Sequence, residues 1–319
     1  MGRALRLLGA LLALALLGRS VQMGLQGASF AQLSLRPLPL VQAALAGGGA
    51  LLILALASAI GARAAHGLPP GPRFVAQWSR VWFQSYFFRY VPGKIALVAE
   101  RVRLGAAFGL SGPASATLVV WESMLLLAAA AVVGSLGFLG GSAGPSAWAS
   151  PVQGAVLAGA ALLGSALLFP TLRWARDRLP KLKAWIPEAG TSAGVGLQLA
   201  LVALNAGAWG MLGLSFTGVA SSLSPVAPTD TLMISAIFVA SYAGGQLAQV
   251  APAGLGVREA FLVAALSPLA DPGTTLAWAV CHRVLLAIVE FALLGSVQLI
   301  PLPTAPAGAS AEPPPASAP

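Results

Sequence analysis

Two short stretches place a backbone break beside full charges: VPGK at 91–94 and VAPAGLGVRE at 250–259. Pro92 and Gly93 precede Lys94, while Pro252, Gly254 and Gly256 precede Arg258 and Glu259. Proline cannot continue a helical hydrogen-bond ladder, and glycine tolerates the turn that must follow. A helix restarting after either break presents unpaired N–H groups and its positive dipole end, with Lys94 or Arg258 in its first turns. Two such ends would make a cradle for an anion. The same spacing also fits turns at a membrane surface with both cations among lipid headgroups, and the residues alone leave the two arrangements open.

Further ionisable residues interrupt apolar stretches: Glu100, Arg101, Glu122, Arg283 and Glu290, besides Arg258 and Glu259. A charge at the centre of a membrane helix costs ~2.5–3.5 kcal/mol on insertion scales, so seven left unpaired would cost on the order of 20 kcal/mol. That exceeds the ~5–15 kcal/mol by which proteins are stable. These groups must therefore pair, face water or lie at interfaces. Arg258 and Glu259 are neighbours that diverge on a helix. Arg283 and Glu290 share a face but sit about 10 Å apart along the axis. Partners on other helices, or a polar cavity, are required.

Other chemistry is weakly supported. Cys281 and His282 diverge as adjacent helical residues and make no triad, which favours packing or pore lining. Glu100, Glu122, Glu259 and Glu290 could supply a carboxylate pair for glycosyl or polyprenyl transfer, yet no DxD-like metal or nucleotide motif accompanies them. No cofactor and no metal is expected. One cysteine excludes an intramolecular disulfide and a thiolate metal cluster. Tyr86 and Tyr242 read as hydrogen-bonding packers, His66 as a loop residue, and small-xxx-small spacings such as Gly105 to Gly109 as close helix packing.

The elements that must position these residues are membrane helices. The 319 residues are 57% hydrophobic and 8% charged, with mean hydropathy +0.84, far from the ~25% charged of soluble domains. The chain reads as one all-α, polytopic membrane domain over residues 1–300, followed by a disordered Pro/Ala-rich tail at 301–319. Apolar runs occupy 4–18, 37–60, 118–139, 152–172, 193–218 and 274–299. The last five are long enough to cross a ~30 Å core. The first fits an uncleaved helix better than a signal peptide, since no A-x-A site follows it. Net charge +9 reports topology and anionic lipid rather than nucleic acid. Arginines and lysines gather at 61–80 and 173–183 and are absent from 140–151 and 219–230. The basic loops are expected in the cytoplasm.

Parity then requires 84–109 to enter and return on one side, and 231–267 to do so from the other. Six full spans and two re-entrant hairpins would leave both termini cytoplasmic in the cell membrane. SYFFRYVPGKIALVAER and SYAGGQLAQVAPAGLGVRE share an order: Ser-Tyr, apolar residues, Pro and Gly, then a charged helix. Broken helices at matching places in inverted halves point to the central site of a transporter.

RYVPGKIALVAER (89–101), the WES holding Glu122, APAGLGVREAFL (251–262) and HRVLLAIVEFALLG (282–295) resemble the stations of the lysylphosphatidylglycerol synthetase transmembrane-region family, the flippase-like membrane proteins. The likeness spans about residues 1–300. It implies substrate-binding roles at Pro92, Gly93, Lys94, Glu122, the box from Pro252 to Glu259, and Arg283. Ala253 departs from the family's usual glycine. The soluble aminoacyl-transfer domain of the full synthetases has no counterpart here, so lysyl transfer is not expected. The resulting expectation is a lipid flippase acting on an anionic or aminoacylated headgroup. Phosphate would rest between the half-helix ends, against Lys94 and Arg258, and Glu122, Glu259 and Glu290 would hold those cations in the empty site. The competing readings are a non-transporting subunit of an envelope lipid or glycan pathway, with an envelope enzyme or a second copy as partner, and a membrane-embedded transferase.

Overall fold

The computed structural model describes residues 34–91, 95–139, 194–247 and 256–303, together with Ala15, Gly18, Gln22, Thr171 and residues 174–179. Among these, 86% are helical and none lies in a strand. The elements are α1 (Pro37–His66), α2 (Pro72–Tyr86), α3 (Ile95–Gly105), α4 (Gly112–Leu139), α5 (Val195–Leu223), α6 (Thr231–Leu247), α7 (Val257–Leu266) and α8 (Pro272–Val297). Short 3₁₀ turns cover Phe87–Tyr90, Ala106–Phe108 and Pro228–Asp230.

Four described helices, α1, α4, α5 and α8, are long and apolar enough to cross a membrane. They correspond to four of the expected runs. The runs at 4–18 and 152–172, and the tail beyond residue 303, lie outside the described residues. At ~1.5 Å per residue, α3 and α7 reach only about 15–17 Å, half of a ~30 Å core.

The basic stretch at 61–80, expected as a loop, is mostly helix. The first helix α1 continues through His66 and ends at Gly67, whose φ of 62° lets its N–H reach the Arg63 carbonyl. His66 is thus a helix-end residue rather than a loop residue. Arg73 and Arg80 ride on α2, which buries Phe74, Trp78, Val81 and Trp82. Those apolar residues recur at the three-to-four spacing of an amphipathic helix, and the arginines on its other face lower the average hydropathy that masks it. Similarly, α5 runs through Leu223 and shortens the expected 219–230 loop to 224–230, and residues 174–178 of the other basic loop are helical.

Small residues bring α1 and α5 together. A Cβ on Gly218 would stand 3.0 Å from that of Ala43, and one on Gly47 would stand 3.1 Å from Ser215 Oγ. Without a hydrophobic drive between helices in lipid, such close approach is a main source of packing energy. Residue numbers rise on α1 as they fall on α5, so the two are antiparallel. The extended chain before α1 seals the junction, with Ser34 N–H and Arg36 N–H donating to the carbonyls of Leu223 and Ser222.

Helix α4 is also antiparallel to α1, since Ser58 meets Glu122 and Gly61 meets Trp121. It therefore runs parallel to α5. The start of α8 sits beside the end of α5, where Trp278 Nε1 donates to Ser224 Oγ at 3.1 Å. Its far end is held by α2, through Gln77 and Arg80 donating to the carbonyls of Pro301 and Ile300. Helix α6 folds back along α5, with Ser235 against Gly213 and Thr217, and Tyr242 against Trp209. Segments 67–111 and 224–271 consequently each begin and finish at one end of the bundle, and the two use opposite ends.

Candidate functional site: arginines gathered along the last helix

The second broken segment resumes helix at Gly256, whose φ of 80° suits a residue without a side chain. Glu259 then acts twice. Its Oε2 accepts the Gly256 N–H at 2.8 Å, closing the start of α7, and its Oε1 accepts from Arg283 Nη2 at 2.5 Å, docking α7 on α8. The anion at this helix start is thus the chain's own carboxylate, in the position the dipole favours. Arg283 lies about 16 Å along α8 from Pro272, so α7 begins deep in the bundle rather than at its end.

Arg258 points the other way, as divergent neighbours must. It is 6% exposed. Its guanidinium carbon lies 4.6 Å from the Phe238 ring centre and 4.7 Å from that of Tyr242, both faces of which attract a cation. Its Nη2 is 3.5 Å from His282 Nδ1, and His282 Nε2 is 3.2 Å from Ser215 Oγ. The Ser215 hydroxyl donates to the Ala43 carbonyl at 2.8 Å. With that hydrogen used, Ser215 accepts from Nε2–H and leaves Nδ1 to accept from Arg258, which fixes the tautomer. His282 thereby ties α7 to α5 and α1, a packing role, while Cys281 beside it is half-buried.

The first broken segment contributes Arg89. It pairs with Glu290, one face-repeat beyond Arg283 on α8, and lies 4.1 Å over the Tyr86 ring. The Tyr86 hydroxyl is 3.4 Å from that of Tyr242. Each tyrosine is braced by a tryptophan: Trp82 stacks on Tyr86 at 4.3 Å, and Trp209 meets Tyr242 edge-on at 4.9 Å. The two Ser-Tyr pairs that looked alike in sequence therefore touch in space.

A second knot holds α3 to the bundle. Arg101 Nη1 donates to Glu122 Oε1 at 2.9 Å, and its Nε donates to Ser85 Oγ at 2.9 Å. Ser58 donates to the same Glu122 oxygen at 2.5 Å and accepts from Trp78 Nε1 at 2.9 Å. Glu122, Ser58 and Asn205 also border a cavity of about 20 Å³, room for one water molecule.

Of the residues named from sequence, Gly256, Arg258, Glu259, Arg283 and Glu290 come together along α8. Glu122 stands in the separate knot, linked to them through Ser85 and its neighbour Tyr86. Pro92, Gly93, Lys94, Pro252 and Gly254 lie outside the described residues. Glu122, Glu259 and Glu290 hold Arg101, Arg283 and Arg89, where the sequence reading assigned them Lys94 and Arg258. Glu100 is bound by Arg103 one turn on, so each of the four glutamates faces an arginine. Gly105 packs closely, its Cβ direction 2.5 Å from Ser115 Oγ, whereas Gly109 has open space around it and serves a left-handed turn at φ 76°. Among the described residues no three His, Cys, Asp or Glu side chains gather as metal ligands do.

Arg89 and the Ser58, Ser85 and His282 links were missed from sequence. Arg89 was legible as a cation inside an apolar stretch, but its partner lies 201 positions away, and no local spacing predicts that. A comparison of the chain with protein-family models and with curated proteins finds no match in either.

Proposed function

We propose that this chain is a flippase-like lipid transporter that passes an anionic or aminoacylated headgroup across the cell membrane. The carrying observation is the row of ion pairs on α8, Glu259–Arg283 and Arg89–Glu290, contributed by two broken segments that start from opposite ends of the bundle. Charges cost too much in an apolar interior to be kept without use, and cations held by displaceable carboxylates suit a site that must bind and release a phosphate. Acyl chains would remain in lipid while the headgroup moves. The reading keeps the resemblance to the lysylphosphatidylglycerol synthetase transmembrane-region family and its inverted arrangement.

The six spans are the four described apolar helices and the apolar runs at 4–18 and 152–172. The parallel run of α4 and α5 supports a crossing between them, for which the apolar run at 152–172 is long enough. Residues 84–109 and 231–267, inside the two segments that return to their own ends of the bundle, are the re-entrant hairpins, and the arginine-rich ends face the cytoplasm. No nucleotide motif is present in the sequence, so transfer is passive or ion-coupled.

Purified protein in phosphatidylcholine vesicles should accelerate leaflet exchange of a fluorescent phosphatidylglycerol. Replacing Lys94 and Arg258 together by glutamine should abolish that exchange while the protein stays monodisperse. Exchange no faster than in protein-free vesicles, across anionic and aminoacylated lipids and with or without a proton gradient, would overturn the transporter and leave the accessory subunit.

A further inference from the structure

We infer that Arg89 and Arg258 are two successive stations for the headgroup phosphate, and that the hydroxyl contact between Tyr86 and Tyr242 is the partition between them. The inference rests on the transporter reading and deepens it by giving the headgroup an order of contacts and by adding Tyr86 and Tyr242 to its path. Its geometry is a chain of contacts: Arg89 over Tyr86 at 4.1 Å, Tyr86 to Tyr242 at 3.4 Å between hydroxyls, and Arg258 over Tyr242 at 4.7 Å. One guanidinium belongs to each broken segment, and the tyrosine pair is where the 3₁₀ end of α2 meets α6.

The chemistry favours exchange over permanence. A guanidinium offers five donors in a planar fork that matches a phosphate's paired oxygens, and it can keep its aromatic stacking while its edge donors change partners. Tyr86 and Tyr242 each have a hydroxyl that can donate either to the other or to a passing phosphate oxygen. An O···O separation of 3.4 Å is long for such a bond, whose usual distance is ~2.7–2.8 Å, so parting it costs little compared with parting an ion pair. The tryptophans behind both rings restrict their swing and keep the opening narrow. A phosphate arriving at Arg258 would draw the Tyr242 hydroxyl from Tyr86, then pass to Arg89 in competition with Glu290.

The test uses the full chain in vesicles, with the photoreactive analogue p-benzoylphenylalanine placed at Tyr86 or at Tyr242 and radiolabelled phosphatidylglycerol or phosphatidylcholine as probe. Phosphatidylglycerol should label both positions several-fold more than phosphatidylcholine. Arg89→Gln should reduce labelling at position 86 and leave position 242 labelled, and Arg258→Gln should reduce both. Arg89→Lys and Arg258→Lys serve where the glutamine variants fail to fold. Tyr86→Phe, which keeps the stacked ring but loses the hydroxyl, should raise the exchange rate at least about threefold if the contact is a partition. Equal labelling by both lipids, or no labelling at position 86, would overturn the stations. Displacement of the lipid label by inorganic phosphate would assign the site to a soluble anion and overturn the lipid claim. Labelling without leaflet exchange would keep the stations and overturn the transporter, whereas exchange without labelling would do the reverse.

Discussion

Arg101 is 1% exposed and shows how tightly single cations are held here. It serves Glu122, Ser85 and Ser58 from one guanidinium, joining α3 to α4, α2 and α1. Removing one partner of a buried ion pair leaves the other uncompensated, at ~3–5 kcal/mol. Arg101→Ala should therefore lower stability by about that amount, read as loss of the cooperative melt in detergent. Arg258 has a different task. Arg258→Ala should slow lipid exchange about tenfold or more, while Arg178→Ala, an exposed cation over Trp174, should leave it near wild type. Arg258→Lys should recover only part, because an ammonium cannot lie flat against both Phe238 and Tyr242 while reaching His282. Equal rates for all three variants would remove Arg258 from the path.

Helix contacts are set by glycines whose missing side chains admit a neighbour. A Cβ at Gly213 would come 2.8 Å from Ser235 Cβ and 3.0 Å from the Ser235 carbonyl oxygen, whereas Gly210, one turn earlier on α5, has nothing within 4 Å. Gly213→Ala must push α6 away and should cost ~1–3 kcal/mol. Gly210→Ala should melt at or above wild type, since alanine is the better helix residue. If both behave alike, the α5–α6 approach is looser than described. The start of α8 is capped by Asp271, which accepts from Thr274 Oγ1 at 2.6 Å and from Thr274 N–H at 3.0 Å. These bonds, the hydroxyl's foremost, hold the Asp271 carboxyl below its ordinary value. A depressed acid stabilises above its unfolded pKa of about 3.9 and loses that contribution as pH falls through the folded value. The melting difference between wild type and Asp271→Ala should thus be full at neutral pH and shrink in acid. A gap that widens in acid would rule out the carboxylate cap.

At the scale of the molecule, helix directions fix which loops share an end. Arg73, just past α1, and Ala227, between α5 and α6, belong to opposite ends and are both exposed. In a Cys281→Ser background, cysteines at these positions should react with an impermeant thiol reagent from opposite sides of sealed vesicles, with position 73 on the side of the arginines. Labelling from one side would require a topology other than two hairpins entering from opposite faces.

Composition and apolar run length by themselves pointed to a helical chain with segments apolar enough to cross a membrane, and placed four such helices to within six residues at either end, because a segment bathed in lipid must be apolar and must satisfy its own backbone. The energetic cost of buried charge also showed from sequence that Arg258, Glu259, Arg283 and Glu290 need partners on other helices or a polar cavity. Hydropathy overlooked α2, whose arginines on one face offset Trp78 and Trp82 on the other, and it read His66 as loop. Who pairs with whom was decided only by the tertiary structure. Arg89 finds Glu290, Arg101 finds Glu122 and Tyr86 finds Tyr242 across 201, 21 and 156 positions of chain. Such contacts depend on which helices pack and in which direction, a global consequence of small residues meeting along α1 and α5 that no local periodicity encodes.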